Sequence, residues 1–366
     1  MSPEPIIAHT ISELDTAFFD RVLAGGCGEL RRATCRPMGT GQMATSVLAD
    51  LQWASAAPTG HVVHHVHPDS VVVKIAPLDP DSRNTGIRHG SYRREVGFYQ
   101  HLAALVRTPV PTCLHAAIDS DSGDFTLVLT RATGTVGDQL RGCSPAEAVT
   151  MVDAAVGLHA PTWNRTDLLT RHPWLPQPDD AVLGRRGTVA RNAINGFRER
   201  YAHRLDSEVL EAATWAAAHL EDIARAHVTP LCLVHGDFRI DNMLFDEAGG
   251  ADRPTVTVVD WQTVSMGRGP DDVAYALGAG LPTDDRRLHE TALLRRYCEG
   301  LEDAGVPVTA EEIGHDHRLG TATGLLMAVI ASQQVVRTER GDEMFAVMAE
   351  RHAAHMADQR IDQLVG

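Results

Sequence analysis

Apolar residues follow two different spacings along the chain, one in its first third and another in the remainder. In the first third, alternating or β-branched runs predict strands, interrupted by helical spacing at 11–23 and 90–106. The predicted strands lie at 30–38, 45–53, 70–75, 112–119 and 125–132. Ser12 is the predicted N-cap of the first helix, because Asp15 follows three residues later.

Helical spacing dominates beyond residue 131, where strand-like runs are few and short. The predicted helices lie at 144–159, 206–226, 271–279, 284–304, 309–338 and 343–364, and the strands near 232–234, 243–245 and 255–259. With 366 residues the chain is long enough for two domains. We therefore predict an α+β fold, with a small antiparallel β domain over residues 1–131 and a larger, mainly helical domain over residues 132–366.

The net charge and the cysteines indicate in which cellular compartment the protein is expected and which partners it is not expected to bind. The formal net charge is −15, which is the wrong sign for a protein that binds nucleic acid through its phosphates. The six cysteines form no C-x-x-C pair, as expected of reduced thiols, and the apolar run at 325–331 is too short to span a bilayer. We expect a cytoplasmic protein without membrane or nucleic acid partners.

The densest chemistry lies between residues 231 and 262. A short apolar strand ends in His235-Gly236-Asp237, Asn242 follows five residues after Asp237, and a hairpin leads to Asp260. Such a segment supplies one carboxylate in a tight loop, an amide oxygen and a second carboxylate at a strand end. Phosphoryl transfer that depends on Mg²⁺ needs these groups, because one carboxylate orients the attacking hydroxyl while hard oxygen donors hold the cation.

The segment His235-Gly236-Asp237-x₄-Asn242, followed by Asp260-Trp261-Gln262, resembles the kinase-like phosphotransferases, which include the aminoglycoside, choline and ecdysteroid kinase families. Upstream, a lysine stands in a β-branched run as Val73-Lys74-Ile75, and a glutamate stands in a helical stretch as Arg94-Glu95-Val96. This order is that of the kinase lysine and its glutamate partner. The resemblance extends from about residue 30 to about residue 305.

The resemblance implies a protein-kinase-like bilobal fold in which residues 1–131 form the nucleotide-binding lobe and residues 132–366 the catalytic and substrate-binding lobe. It also implies roles for single residues. Asp237 would be the catalytic base, Asn242 and Asp260 would ligate Mg²⁺, Lys74 would contact the phosphates of ATP or GTP, and Glu95 would hold Lys74.

Further roles follow from the same resemblance. The loop 39–46 would cover the phosphates through Gly39, Gly41, Thr45 and Ser46. A hinge at 129–132, with Leu129 and Arg131, would meet the base through its backbone. Asp272 would brace the catalytic loop by accepting backbone N–H groups, although an acid at a helix N-terminus is an equally good reading of that residue.

Departures from the protein-kinase pattern favour a small-molecule kinase. His235-Gly236-Asp237 stands where protein kinases have H-R-D, Trp261-Gln262 stands where they have F-G, and no A-P-E segment follows. The loop at 39–46 also lacks a third glycine. The expected activity is transfer of the γ-phosphoryl group to a hydroxyl of a small molecule, such as an antibiotic, amino-alcohol, sugar or sterol-like alcohol. A nucleotide-binding pseudokinase or scaffold is the alternative, and the oligomeric state stays open between monomer and homodimer.

Several residues also allow plainer interpretations. Asp237 and Asn242 would also suit an Asx-rich turn, Lys74 an exposed edge strand, and Glu95 a solvated helix face. Histidines 61, 64, 65 and 67, like 315 and 317, are expected in solvated loops and not in a metal site. Between residues 161 and 206, five of the arginines weaken the case for a polycationic acceptor, unless they form a solvated helix face: Arg185, Arg186, Arg191, Arg198 and Arg200.

Overall fold

The structure, a computed structural model, describes residues 5–23, 29–39, 43–54, 67–247, 250 and 254–365. The chain divides into two compact units. Unit 1 comprises residues 1–104 and 110–132, and unit 2 comprises residues 105–109 and 133–366. No helix in the described ranges is long and apolar enough to cross a membrane.

Unit 1 is built on an antiparallel sheet. Its described strands are β1 (Leu30–Met38), β2 (Thr45–Trp53), β3 (Ser70–Ile75), β4 (Cys113–Ile118) and β5 (Phe125–Thr130), and they run in the order β1-β2-β3-β5-β4. Helix α1 (Thr16–Leu23) packs its buried Phe18 and Phe19 against one face of this sheet. Burial of such aromatic side chains contributes roughly 1.5–3 kcal/mol each.

Two further helices, α2 (Pro80–His89) and α3 (Ser91–Gly97), follow β3. The sequence predicted one helix over 90–106, and α2 was missed. The side chain of Asp79 caps α2 by accepting the Ser82 N–H at 2.8 Å, and Gly90, with φ of 68°, ends it. Because Gly90 turns the chain into the left-handed region, the two helices are separate elements. Beyond Gly97 the helix continues as a π turn, Phe98–Leu102, and a 3₁₀ turn, Ala103–Leu105.

Unit 2 is mainly helical. Its helices are α4 (Pro145–His159), α5 (Asp167–Arg171), α6 (Asp180–Tyr201), α7 (Ser207–Ala226), α8 (Gly269–Gly280), α9 (Thr283–Asp303), α10 (Ala310–Ser332) and α11 (Glu339–Gln359). Two small antiparallel sheets accompany them: β6 (Thr135–Val136), β8 (Met243–Asp246) and β9 (Thr255–Val258) in the order β6-β8-β9, and β7 (Cys232–Val234) with β10 (Ser265–Gly267). The main apolar core lies among α6, α7, α10 and α11 and includes Phe197, Leu325 and Phe345.

Two local predictions were wrong. The cap of α1 is Asp15 and not Ser12, because the Asp15 carboxylate accepts the Phe18 N–H at 2.8 Å and residues 11–13 form a separate 3₁₀ turn. His315 and His317 do not lie in a solvated loop. Both lie within the continuous helix α10, and His317 is 1% exposed.

Candidate active site

In unit 1, Lys74 and Glu95 form an ion pair on the face of the sheet opposite its core. Alternate residues of β3 are buried, and the set that includes Val71 and Val73 faces the core, so Lys74 points to the other side. Its Nζ lies 2.5 Å from Oε1 of Glu95, a residue of α3 that is only 1% exposed. Since β3 is a central strand, the edge-strand interpretation of Lys74 is wrong. Removal of one member of such a pair leaves a buried charge unpaired, which costs about 3–5 kcal/mol.

Strand register decides which predicted nucleotide contacts share a face with Lys74. Ser46 on β2 is its direct cross-strand partner, and Leu127 on β5 is the partner on the other side. Leu129 lies two residues beyond Leu127 and therefore on the same face. Thr45 precedes Ser46 on β2 and lies on the opposite face. The sheet therefore brings Ser46, Lys74 and Leu129 together and separates Thr45 from them.

The remaining predicted nucleotide contacts lie outside the sheet. Gly39 has φ of 64°, in the left-handed region, at the end of β1. Gly41 lies outside the described residues, together with the rest of 40–42. Arg131 is exposed just after β5. The phosphate-covering loop therefore stays a prediction.

In unit 2, the loop that follows β7 is held by Asp272 at the start of α8. One carboxylate oxygen of Asp272 accepts the backbone N–H of His235 at 2.7 Å, and the other accepts that of Gly236 at 3.0 Å. Asp272 itself is only 2% exposed. The brace that the sequence predicted is thus present as two hydrogen bonds. His159 lies behind it, with Nε2 at 3.4 Å from Asp272 and Nδ1 at 2.8 Å from the Tyr297 hydroxyl.

Glycine is required at position 236 for two reasons. Its φ is 79°, a conformation that costs other residues about 1–2 kcal/mol. A Cβ at this position would also lie 2.9 Å from the carbonyl oxygen of Thr263. The close approach arises because β10 returns antiparallel to β7 and carries the chain after Asp260 back to the loop.

His235 uses both ring nitrogens within this loop. Nε2 lies 3.0 Å from the carbonyl oxygen of Val259 and must donate, whereas Nδ1 accepts the Asp237 N–H at 3.3 Å. One donor and one acceptor define a neutral imidazole with its proton on Nε2. His235 therefore joins the Asp237 loop to the strand end before Asp260.

The Asp237 carboxylate is oriented by three hydrogen-bond donors. Oδ1 accepts from Nε of Arg239 at 3.1 Å and from the Tyr275 hydroxyl at 2.9 Å, and Oδ2 accepts from Nδ2 of Asn242 at 2.8 Å. The side chain keeps 15% of its surface exposed. Burial raises the pKa of this carboxyl, but the Arg239 guanidinium and the donated hydrogen bonds outweigh burial and hold the pKa below its usual value. Asp237 is therefore ionised at neutral pH.

Asn242 and Asp260 are joined through the backbone. The Val259 N–H donates to the carbonyl of Asn242 at 2.9 Å, so the residue before Asp260 is fixed against Asn242. Nδ2 of Asn242 donates to two acceptors of Asp237, and the amide oxygen is the atom turned away from that carboxylate. Asp260 has φ of 69°, and Nε2 of Gln262 donates to its Oδ2 at 3.1 Å. The Asn242 amide oxygen and the Asp260 carboxylate are oxygen donors of the kind that Mg²⁺ prefers. They thus lie on two segments that a backbone hydrogen bond joins.

A comparison with protein families shows which family contains this arrangement of residues. The sequence pattern of the phosphotransferase enzyme family, APH, matches residues 62–309, which is more than half of the chain and includes Lys74, Glu95 and the whole Asp237 loop. The chain belongs to the phosphotransferase enzyme family. This match confirms the predicted relation to kinase-like small-molecule phosphotransferases. A separate comparison with curated proteins gives no match.

Solved structures share the fold of this phosphotransferase. The GDP complex of wild-type aminoglycoside 2'-phosphotransferase-IIIa superposes with a TM-score of 0.55 at 12% identity, over 92% of this chain and 97% of that one. Plasmodium vivax ethanolamine kinase gives a TM-score of 0.51 at 9% identity, over 87% and 82%. At this identity the likeness concerns the fold alone, and it confirms the predicted α+β, protein-kinase-like fold.

Arg239 and Tyr275 are the residues of this phosphotransferase that the sequence analysis missed. Arg239 also reaches Asp241, with Nη1 at 2.6 Å from Oδ2, and so bridges two acids of the loop. A signal existed for each of them. Arg239 stands two residues after Asp237 inside the recognised motif, and Tyr275 lies three residues after Asp272 and hence on the same side of α8.

The arginines between residues 161 and 206 hold helices of the phosphotransferase together. Arg191 pairs with Glu221 on α7 at 3.2 Å, Arg198 donates to Thr214 at 2.9 Å, and Arg200 pairs with Asp342 on α11. Arg191 and Arg198 are exposed, as a solvated helix face requires, whereas the Arg200 side chain is only 12% exposed and does not fit that interpretation. These contacts give no information about the acceptor.

Proposed function

We propose that this phosphotransferase moves the γ-phosphoryl group of ATP or GTP to a hydroxyl group of a small molecule. The observation that carries the proposal is the Asp237 carboxylate, which is ionised, partly exposed and fixed by three donors, as a general base must be. The similarly folded aminoglycoside phosphotransferase was solved with GDP, which supports a nucleotide as the phosphoryl donor.

Asp237 would accept a hydrogen bond from the acceptor hydroxyl and so direct the hydroxyl oxygen at the phosphorus of the γ-phosphoryl group. As the new oxygen–phosphorus bond forms and the bond to the leaving nucleoside diphosphate breaks, Asp237 takes the hydroxyl proton. The transition state of such transfers is loose, so orientation of the hydroxyl contributes more than early proton removal. Arg239 and Tyr275 support this role because they keep the carboxylate in one orientation.

The oxygen donors of Asn242 and Asp260 fit magnesium, which prefers carboxylate and amide oxygen over nitrogen or sulfur. A magnesium ion held there would supply positive charge to offset that of the nucleotide phosphates. We propose that Asn242 and Asp260 hold it. Lys74, fixed by Glu95, would contact the nucleotide phosphates.

The proposal also assigns a separate role to each of the two parts of the chain that the sequence predicts. Residues 1–131 would bind the nucleotide and residues 132–366 would carry catalysis and the acceptor. Besides Lys74, the proposed nucleotide contacts are Gly39, Gly41, Thr45, Ser46, Leu129 and Arg131. Ser46 and Leu129 have the best support, because they share the sheet face of Lys74.

Purified full-length protein should be incubated with Mg·ATP or Mg·GTP and panels of amino-alcohols, sugars, sterols and aminoglycosides. Formation of a phosphate monoester, detected by ³¹P NMR together with nucleoside diphosphate, is the expected result. Nucleotide binding without transfer to any hydroxyl compound would favour the alternative, a pseudokinase or scaffold.

The cation role of Asp260 is tested by Asp260→Asn, since asparagine tolerates the positive φ at this position. Calorimetry should show a loss of Mg·nucleotide affinity of at least tenfold, whereas Asp284→Asn, at a side chain that is 97% exposed, should bind as wild type does. Unchanged affinity in Asp260→Asn would contradict the ligand assignment.

A further inference from the structure

A second polar cluster lies in unit 2 where α9, α10 and α11 pack together. It consists of Glu290 on α9, His317 on α10 and His355 on α11, and we name it the Glu290 cluster. The three residues are 6%, 1% and 0% exposed. Since each comes from a different helix, their meeting is a product of the tertiary fold and not of local sequence.

Three side-chain atoms that can ligate a metal converge in this cluster. Oε1 of Glu290 lies 2.8 Å from Nε2 of His317 and 2.5 Å from Nε2 of His355. All three atoms lie within 4.8 Å of one another. Two imidazole nitrogens and one carboxylate oxygen, directed at one point from facing helices, are the donor set of many metal sites in helical bundles.

As a hydrogen-bond network, the Glu290 cluster is incomplete. Among the described residues, Nδ1 of His317, Nδ1 of His355 and both ring nitrogens of the neighbouring His352 are buried without a partner. Each such atom costs roughly 1–3 kcal/mol. The unpaired Nδ1 atoms of His317 and His355 lie on the other edge of each ring from Nε2, so this incompleteness concerns the surroundings of the cluster and not the three converging atoms.

The other carboxylate oxygen of Glu290 is already occupied. Nη1 of Arg286 lies 2.6 Å from Oε2, and the same guanidinium contacts Asp358. Arg286 thus fixes the plane of the carboxylate and leaves Oε1 directed at the histidines, as an outer partner of a metal ligand does. Asp358 balances the positive charge of Arg286, which lowers the cost of adding a cation nearby.

The Glu290 cluster is reached through a groove of about 1100 Å³ between α9 and α10. Glu290 and His317 belong to its lining, in which further glutamates outnumber arginines: Glu299, Glu302, Glu311 and Glu312 against Arg295 and Arg318. An acidic groove attracts cations and offers them a path to a buried site.

We propose that Glu290, His317 and His355 form a zinc site that clamps α9, α10 and α11. Zinc fits better than magnesium because two of the three donors are imidazole nitrogens. Binding would require each ring to carry its proton on Nδ1 so that Nε2 can ligate, and would lengthen both Oε1–Nε2 separations to roughly 3.3 Å, the spacing of two tetrahedral ligands at metal–ligand distances near 2.0–2.1 Å. The fourth position would face the groove. This site shares no residue with the proposed magnesium ligands Asn242 and Asp260.

The test is calorimetric titration of dialysed full-length protein with zinc chloride in excess Mg²⁺ and without nucleotide. One zinc per chain should bind, and His317→Gln or His355→Gln should raise Kd by more than about 100-fold. His315→Gln is the matched control, because His315 lies on the same helix and lines the same groove. Absence of zinc binding, or wild-type affinity in His317→Gln, would overturn the proposal.

A second measurement does not depend on the folding of a variant. X-ray absorption at the zinc edge of the 1:1 wild-type complex should show two imidazoles and only nitrogen or oxygen ligands near 2.0–2.2 Å. A sulfur shell at about 2.3 Å would assign the zinc to cysteines and overturn the proposal.

Discussion

Unit 2 contains two polar clusters that differ in how completely their groups are hydrogen-bonded. Around Asp237, three donors meet one carboxylate, and His235 uses both of its ring nitrogens. Around Glu290, His317 and His355 each use one nitrogen, and in the described part of the chain His352 uses neither. The Asp237 network therefore fixes its carboxylate in one orientation, whereas the surroundings of the Glu290 cluster keep buried nitrogens without partners.

The largest expected effect comes from removing the centre of the completed network. Asp237→Ala should lower kcat by about 10²–10⁴-fold, the usual contribution of a general base, and leave nucleotide affinity nearly unchanged. Steady-state kinetics with an acceptor found in the panel, together with calorimetry, measure both quantities.

Tyr275→Phe serves as the control for Asp237→Ala, since it removes one of the two donors to Oδ1 and keeps the carboxylate. Its kcat should fall by about tenfold, the value of one hydrogen bond to a charged group at ~1.5 kcal/mol. Wild-type turnover in Asp237→Ala would refute the base assignment and with it the catalytic half of the comparison.

A matched pair of histidine variants tests the comparison in terms of stability. In zinc-free protein, His235→Leu should lower the free energy of unfolding by about 2–4 kcal/mol, because the Asp237 N–H and the Val259 carbonyl lose their partners. His352→Leu should change it by less than about 1 kcal/mol, or raise it, because neither nitrogen has a partner to lose. Urea denaturation measures both values, and equal losses would contradict the distinction between the clusters.

The backbone of the completed network can be tested with two glycines of similar φ. Gly236→Ala should destabilise the protein by about 2–3 kcal/mol, since it combines a positive φ with the contact to Thr263. At Gly305, φ is 81° and no heavy atom lies within 4 Å of an added Cβ, so Gly305→Ala should cost only about 1 kcal/mol. A larger loss of stability for Gly305→Ala than for Gly236→Ala would show that the contact between the added Cβ and the Thr263 carbonyl does not destabilise the protein.

The smallest effect concerns a histidine that uses both nitrogens as donors. His227 donates from Nδ1 to the Ile223 carbonyl at 2.9 Å and from Nε2 to Asp271 at 2.8 Å, which requires the charged imidazolium. Burial lowers the pKa of His227, but Asp271 outweighs burial and raises it above the usual value. The stabilisation is therefore complete below the ordinary pKa of histidine and is lost as pH rises through the raised value.

His227→Gln should accordingly reduce stability by about 1.5 kcal/mol at pH 5.5 and by less at pH 9. Urea denaturation of both proteins at the two pH values gives the difference. A loss that grows with pH would show that His227 is neutral in the folded protein, like His235.

Much of this fold could be predicted from the sequence, because apolar spacing reports which face of an element is buried. The missed helix α2 shows the limit, since PDSRNTGIRH has no apolar stripe and its only buried residue is Gly86. Its signals were the Asp79 cap, the proline at its first position and Gly90 after its end. Helix α6 was also missed. It has an apolar stripe, but small residues such as Gly187 and Ala190 form part of that stripe.

Sequence spacing located the candidate site because Asp237, Asn242 and Asp260 lie close together along the chain, next to the ends of short strands. Arg239 and Tyr275 were missed, because a motif says which residues are present and not which of them touch one carboxylate. The burial of His317 could not be predicted either. It depends on how α9 and α11 pack against α10, and the side chain that meets it, Glu290, is 27 residues away.

The positive φ of Asp260 has a consequence for how this sequence can change. A side chain in that conformation works against folding by about 1–2 kcal/mol, and glycine there would relieve it. Glycine would also remove the carboxylate. Under the proposed cation role, selection for heat tolerance alone would therefore favour glycine at this position, whereas selection for cation binding would keep aspartate at the expense of melting temperature.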